Sequence, residues 1–206
     1  VEVYTTETEQ VNAIKRFFAT NGKYLAVGLF LGIGALVGWN YWQNHQTNRL
    51  HETAAEFDKL NQSLITDPAA NIASVENFAN QTNNIYGVMA EFELAKNAIE
   101  KNDLAQAEKS LLIASGKVKD ENIQALANLR LSRVQLAEDK TDAALKTLEQ
   151  VKGKSWQVIV EDIRGDALAK KGDLAGARAA YSKGLGYDGS PRVKDLIQMK
   201  LNDLSN

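Results

Sequence analysis

Between Lys23 and Arg49 the chain carries no Asp, Glu, Lys or Arg. Within that gap Tyr24 to Trp39, YLAVGLFLGIGALVGW, is apolar or glycine without exception. As a helix, Tyr24 to Trp42 spans about 28 Å at 1.5 Å per residue, close to the thickness of a hydrocarbon core. A soluble-core helix has no need of such unbroken apolarity, so the run is expected to be a transmembrane helix over residues 23–43. A cleaved signal peptide would have a shorter apolar core and a small-x-small site after it. Here Trp39, Asn40, Tyr41, Trp42 and Gln43 follow instead. Tyr24 at one end, with Trp39, Tyr41 and Trp42 at the other, forms two interfacial belts suited to an uncleaved anchor.

Lys15, Arg16 and Lys23 precede the span closely, whereas Arg49 is the only Lys or Arg after it before Lys59. Orientation follows Lys and Arg close to the span. Residues 1–22 are therefore expected to form a cytoplasmic tail. Residues 44–206 should lie across the membrane, in the periplasm if the source is a Gram-negative bacterium. In the tail, Val11, Ile14, Phe17 and Phe18 recur at helical spacing beside Lys15 and Arg16. Either a short amphipathic helix lies on the anionic leaflet, or the membrane helix continues inward. Inside the span, Gly28/Gly32 and Gly34/Gly38 form two small-xxx-small pairs, turned about 120° from each other. They suit close helix neighbours on two faces, or are ordinary membrane composition.

The chain as a whole has a globular balance: 44% hydrophobic, 24% charged and a net charge of −2 over 206 residues. No basic excess points to nucleic acid. Absence of cysteine excludes disulfides, zinc ribbons and thiol nucleophiles, and is compatible with an oxidising compartment. Two prolines against abundant Ala, Leu, Lys and Glu favour helix.

Helical stretches are expected over Asn48 to Thr66, ended by Asp67-Pro68, and over residues 70 to 82. A repeat follows. Three segments align on a small residue followed twelve positions later by Ala: Ala95/Ala107, Ser132/Ala144 and Gly165/Ala177. Four positions beyond each Ala stand Leu111, Leu148 and Tyr181. Breaks recur at Asn102-Asp103, Asp139-Lys140 and Gly172-Asp173, and Gly116 and Gly153 are expected to end the second helices at C′. Small residues at fixed points let two antiparallel helices approach closely, and the larger residue fills the gap against the next pair. One pair cannot bury its apolar face alone, so pairs must stack. Ser190-Pro191 then opens a capping helix with Val193, Leu196, Ile197, Lys200, Leu201 and Leu204 at helical spacing.

This spacing resembles the tetratricopeptide repeat over about residues 85–186, without its signature Trp and Pro. The fold class expected is all-α: an N-terminal transmembrane helix followed by a helical solenoid. Such arrays bind partners along the first helix of each pair. That geometry places Met89, Phe92, Lys96 and Ile99 on the groove from the first repeat. The second supplies Leu126, Leu129, Arg133 and Leu136, and the third Ile159, Asp162 and Asp166. Either a segment of a partner protein covers these residues, or the chain's own capping helix covers several of them. The Asn and Lys set with which some members clamp a terminal carboxylate is missing.

Three stretches are more specific: VNAIKRFFATNGKYLAVGLFLGIGALVGWNYW, NLRLSRVQLAEDKTDAALKTLEQVKGKSW and IRGDALAKKGDLAGAR. They resemble the YfgM family across essentially the whole chain. The resemblance implies an ancillary subunit of the bacterial SecYEG translocon. Such a subunit sits in the inner membrane and works with the periplasmic chaperone PpiD in handing exported proteins onward. A generic anchored scaffold for envelope assembly or division is the alternative. The family brings no catalytic residue, cofactor or metal. His45 and His51, the only histidines, lie six apart and do not share a helix face. No nucleophile motif surrounds Ser63 or Ser74, and the acidic groups near helix starts favour the helix dipole. An enzyme is not expected.

Overall fold

The computed structural model describes residues Glu7 to Leu204, in nine α-helices and one 3-10 turn. The first six residues of the expected tail and the last two of the chain lie outside the described residues. The chain forms two compact units, residues 1–53 and 54–206.

Helix α1 runs Glu7–Thr66. Of the two readings of the tail, a helix continuous with the apolar run is the one found. In the first unit the window that qualifies as a membrane span has no residue buried within the chain. By length and composition it is the one helix among the described residues able to cross a membrane. Trp39 and Trp42 lie 5.5 Å apart at its far edge. A side chain built on Gly28, Gly32, Gly34 or Gly38 would meet nothing within 4 Å.

In the second unit, α1 contributes its residues from Ala54. It stops at Thr66 because Asp67 and Pro68 begin α2, Pro68–Gln81: Asp67 caps by accepting from the Ala70 amide at 3.1 Å, with Pro68 at the first helical position. Phe57 and Leu64 of α1 pack on Val75, Phe78 and Ala79 of α2 and on Ala90 and Leu94 of α3. Helix α2 in turn packs against α3. Three antiparallel pairs follow: α3 (Ile85–Glu100) with α4 (Leu104–Lys117), α5 (Glu121–Ala137) with α6 (Thr141–Leu148), and α7 (Gln157–Lys170) with α8 (Leu174–Leu185). Helix α9, Pro191–Asp203, ends the array.

Each first helix closes in the same way. Asn102, Asp139 and Gly172 have φ of 59°, 63° and 82°. The following amides, of Asp103, Lys140 and Asp173, bond back to the carbonyls of Ala98, Gln135 and Leu168 at 2.8, 2.8 and 3.0 Å. This is the left-handed closure that satisfies orphan carbonyls. Asp103 and Asp173 then cap the second helices through the Gln106 and Gly176 amides. Lys140 offers no such acceptor, and its helix, α6, is the shortest at 8 residues.

The C′ roles expected for Gly116 and Gly153 are not found. Helix α4 continues through Gly116 to Lys117. The Lys117 ammonium donates to the Ala79 and Thr82 carbonyls at 2.6 and 3.4 Å, tying that last turn to the end of α2. Gly153 does take φ of 94°, but after α6 has stopped at Leu148, where it opens the 3-10 turn Lys154–Trp156.

The small-residue positions explain the close helix pairs. Tyr181, 3% exposed, lies directly on Gly165, so that a β-carbon there would run into its ring. The large residue therefore fills space within its own pair. Leu111 and Leu148 also reach forward, to Leu131 and Val134 and to Val160 and Ile163, as the packing argument expects.

Candidate functional site

The first helices of the pairs place the sequence-derived groove residues in three different environments. Phe92, Lys96 and Ile99 of α3 and Arg133 of α5 come together around one cleft of about 620 Å³, floored by Leu104 and Leu111 of α4. Ile99 is 46% exposed. Met89, 42% exposed, lies on the same helix outside the cleft lining.

Helix α5 adds a residue the sequence reading missed. The Arg130 guanidinium lies 4.2 Å above the Phe92 ring. A stacked cation of this kind contributes roughly 0.5–1 kcal/mol at an exposed site. Its signal was an arginine four residues after Leu126, facing an aromatic on the preceding first helix. The Lys96 ammonium is 3.7 Å from Glu93. Among the described residues no carboxylate lies within salt-bridge distance of Arg133.

The other α5 positions face inward. Leu129, 2% exposed, packs with Leu148, Val160 and Ile163, and Leu136 lies partly buried against the same cluster. Leu126 is half-buried.

On α7, Ile159 packs beneath two clusters, and Asp162 and Asp166 are met by the chain itself. Lys200 of α9 donates to Asp162 at 2.7 Å and to Asp166 at 2.7 Å. Tyr181 donates to Asp166 at 2.7 Å. Burial raises the Asp162 carboxyl above the ordinary aspartate value, and Lys200 only partly offsets it. Burial would lower the Lys200 ammonium, but its bonds to Asp162 and Asp166 outweigh that and hold it above the usual lysine value. Burial, then the Asp166 bond, also push the Tyr181 phenol up. Ile197, fully buried beside Tyr181 and Val158, completes the seat of α9.

His45 and His51 lie exposed on α1. Among the described residues no group of three or more His, Cys, Asp or Glu could hold a metal. The cleft is apolar along its floor, carries Arg130 and Arg133 on the α5 side and Glu93, Lys96 and Glu100 on the α3 side, and is built from stacked helix pairs.

An apolar spanning helix followed by paired helices with a concave cleft defines a membrane-anchored helical-repeat protein. Residues 15–206 match the tetratricopeptide repeat-like domain family. The chain is 43% identical, over 205 residues and the whole of both chains, to the ancillary SecYEG translocon subunit of Escherichia coli. It is 36% identical to the protein of that name from Haemophilus influenzae, over 98% of this chain and 99% of that one. For the Aggregatibacter actinomycetemcomitans protein the identity is 33%, with the same coverage. The chain belongs to the ancillary SecYEG translocon subunit family, as its YfgM-like segments implied. No solved structure matches it significantly.

Proposed function

We propose that the protein is a non-catalytic, membrane-anchored scaffold at the Sec translocon, assisting the passage of exported proteins to periplasmic chaperones. The observation that carries this is the 43% identity to the Escherichia coli ancillary SecYEG translocon subunit over the full length of both chains. The single apolar helix near the N-terminus supports a single-pass protein of the inner membrane. In this reading residues 1–22 are the cytoplasmic tail, 23–43 the span and 44–206 the periplasmic domain. Lys15, Arg16 and Lys23 before the span support that orientation. The partners are SecYEG, through the span, and PpiD with exported clients, through the helical domain. Gly28/Gly32 and Gly34/Gly38 are the span's packing faces.

Purification of the tagged chain in mild detergent tests the reading, with SecYEG and PpiD expected to co-purify. Replacing either glycine pair with Leu should lower SecYEG recovery and leave membrane insertion intact. Recovery of envelope-assembly or division proteins in place of Sec subunits would overturn the assignment. Protease added to spheroplasts should digest residues beyond about 45 and spare the tail; a protected helical domain would reverse the topology.

A further inference from the structure

Away from the groove, the three helix pairs differ at one buried position. Four residues before the small residue of each pair stand Glu91, Asn128 and Glu161. Glu161, 1% exposed, is neutralised within its own pair: Lys183 lies 2.6 Å from it and Arg164 3.3 Å. Asn128 has no charge to neutralise. Glu91 is buried as deeply, at 2% exposed, but both of those cations are missing. Leu94 stands in the place of Arg164, and Ile113 in the place of Lys183. Among the described residues no cation lies within salt-bridge distance of Glu91. The Lys117 ammonium acts on it from further off and is committed to the Ala79 and Thr82 carbonyls. Burial holds the Glu91 carboxyl above the ordinary glutamate value; Lys117, the Ser110 hydroxyl and Lys109 offset only part of this, and Glu76 adds to it.

Glu91, Leu94 and Ile113 open together onto a cavity of about 160 Å³ between α2 and α4. It shares no lining residue with the cleft between α3 and α5. Small-molecule pockets run to roughly 300–1,000 Å³, so this space holds the end of one side chain. Beside it on α4, Leu112 is 51% exposed.

We propose that this cavity receives a lysine side chain from a segment of another protein. Its ammonium meets Glu91 as Lys183 meets Glu161, and apolar residues beside it in the segment rest on Leu112 and Ile113. The third pair is the internal template: the same buried acid, at the same place in the pair, is there satisfied by a lysine from the second helix. Charge agrees with this occupant. Glu76 and Glu91 line the cavity against the single ammonium of Lys109, and an acidic side chain would add like charge to a buried carboxylate. Lysine suits the narrow space better than arginine, being a compact charge on a flexible four-carbon stem. The site lies on the second-helix side of the array, and it does not depend on the Sec assignment.

The test uses the full chain in detergent micelles, with empty micelles as the blank, and fluorescence anisotropy of labelled short peptides. One peptide has a single Lys between Leu residues; the second has acetyl-lysine there, and the third Glu. The Lys peptide should bind at least roughly tenfold tighter than either control. Glu91→Gln keeps the shape of the side chain and removes its charge, so the fold should persist by circular dichroism while the preference for Lys disappears. Ile113→Lys should supply the missing cation from within, as Lys183 does for Glu161, and should likewise abolish the preference. Equal binding of the Lys and acetyl-lysine peptides, or a preference that survives either substitution, overturns the inference. Displacement of the Lys peptide by an equal concentration of putrescine would assign the cavity to a free amine and also overturn it.

Discussion

Replacing Gly165 with Ala sets two effects of known sign against each other. Gly165 lies inside α7, where Ala is intrinsically better by about 1 kcal/mol. Opposing this, the new methyl would collide with the Tyr181 ring. That ring is held by its hydroxyl on Asp166 at 2.7 Å and by Ile197 in the same buried cluster, and cannot simply swing away. Overpacking a well-filled site costs about 1–3 kcal/mol. With three ring atoms inside the forbidden distance, the upper end applies. The net expectation is a loss of about 2 kcal/mol, or a fall of about 4–8 °C in Tm for a unit of this size. Far-UV circular dichroism of the full chain in detergent reads it. The first two pairs place Leu opposite Ala95 and Ser132, so adding Tyr181→Leu should recover part of the loss. A double-mutant cycle should give a coupling of about 0.5–3 kcal/mol. A Tm that rises by the few degrees expected from helix propensity alone would refute the packing argument.

At alkaline pH the α9 seat should fail. Tyr181 and Lys200 both hold their protons more tightly folded than unfolded, so their stabilisation is complete below their ordinary values and is lost as pH rises through the folded ones. Thermal melts between about pH 9 and 11.5 should show stability falling above about pH 10, by up to about 1.4 kcal/mol per pH unit for each group, and Tyr181→Phe should flatten the fall. Asp103→Ala and Asp173→Ala each remove a helix cap and should cost about 1 kcal/mol, adding nearly completely in the double variant because the caps are far apart, as denaturant midpoints would record. Leu129→Ala should cost about 2–5 kcal/mol, since its site is sealed, whereas Phe92→Ala at the open cleft should lower the melting temperature less; equal destabilisation would place Phe92 in the core.

The array was legible because tight packing leaves marks in sequence. The Ala95/Ala107, Ser132/Ala144 and Gly165/Ala177 pairs each fall where two helices meet, and the three breaks fall on the three left-handed residues. The apolar run was legible because a hydrocarbon core tolerates little else. Glycine as a helix stop misled at Gly116, because a tertiary bond from Lys117 to the end of α2 outweighed local preference. Lys200 stood in the apolar stripe of α9 without explanation. Periodicity identifies an inward face, but only a folded chain brings Asp162 and Asp166 to that cation. The cleft was readable in part for the same reason: spacing indicates helix faces, while the divide between the sealed Leu129 and the open Phe92 depends on how far the next helix approaches.

The seat of α9 also imposes an order on biosynthesis. Domains fold as the chain is delivered, N-terminal parts first. Asp162 and Asp166 emerge before the lysine that neutralises them, Asp166 by 34 residues. Until Lys200 follows, α7 and α8 have two neighbouring carboxylates and the polar end of Tyr181 without their counter-charge, and Val158 and Tyr181 without the cover of Ile197. The last pair therefore consolidates only once the distal helix has arrived. A chain cut short before that point would retain the anchor and the first two pairs, but its end would stay open to proteolysis, so that completeness of the product is registered in its resistance to degradation.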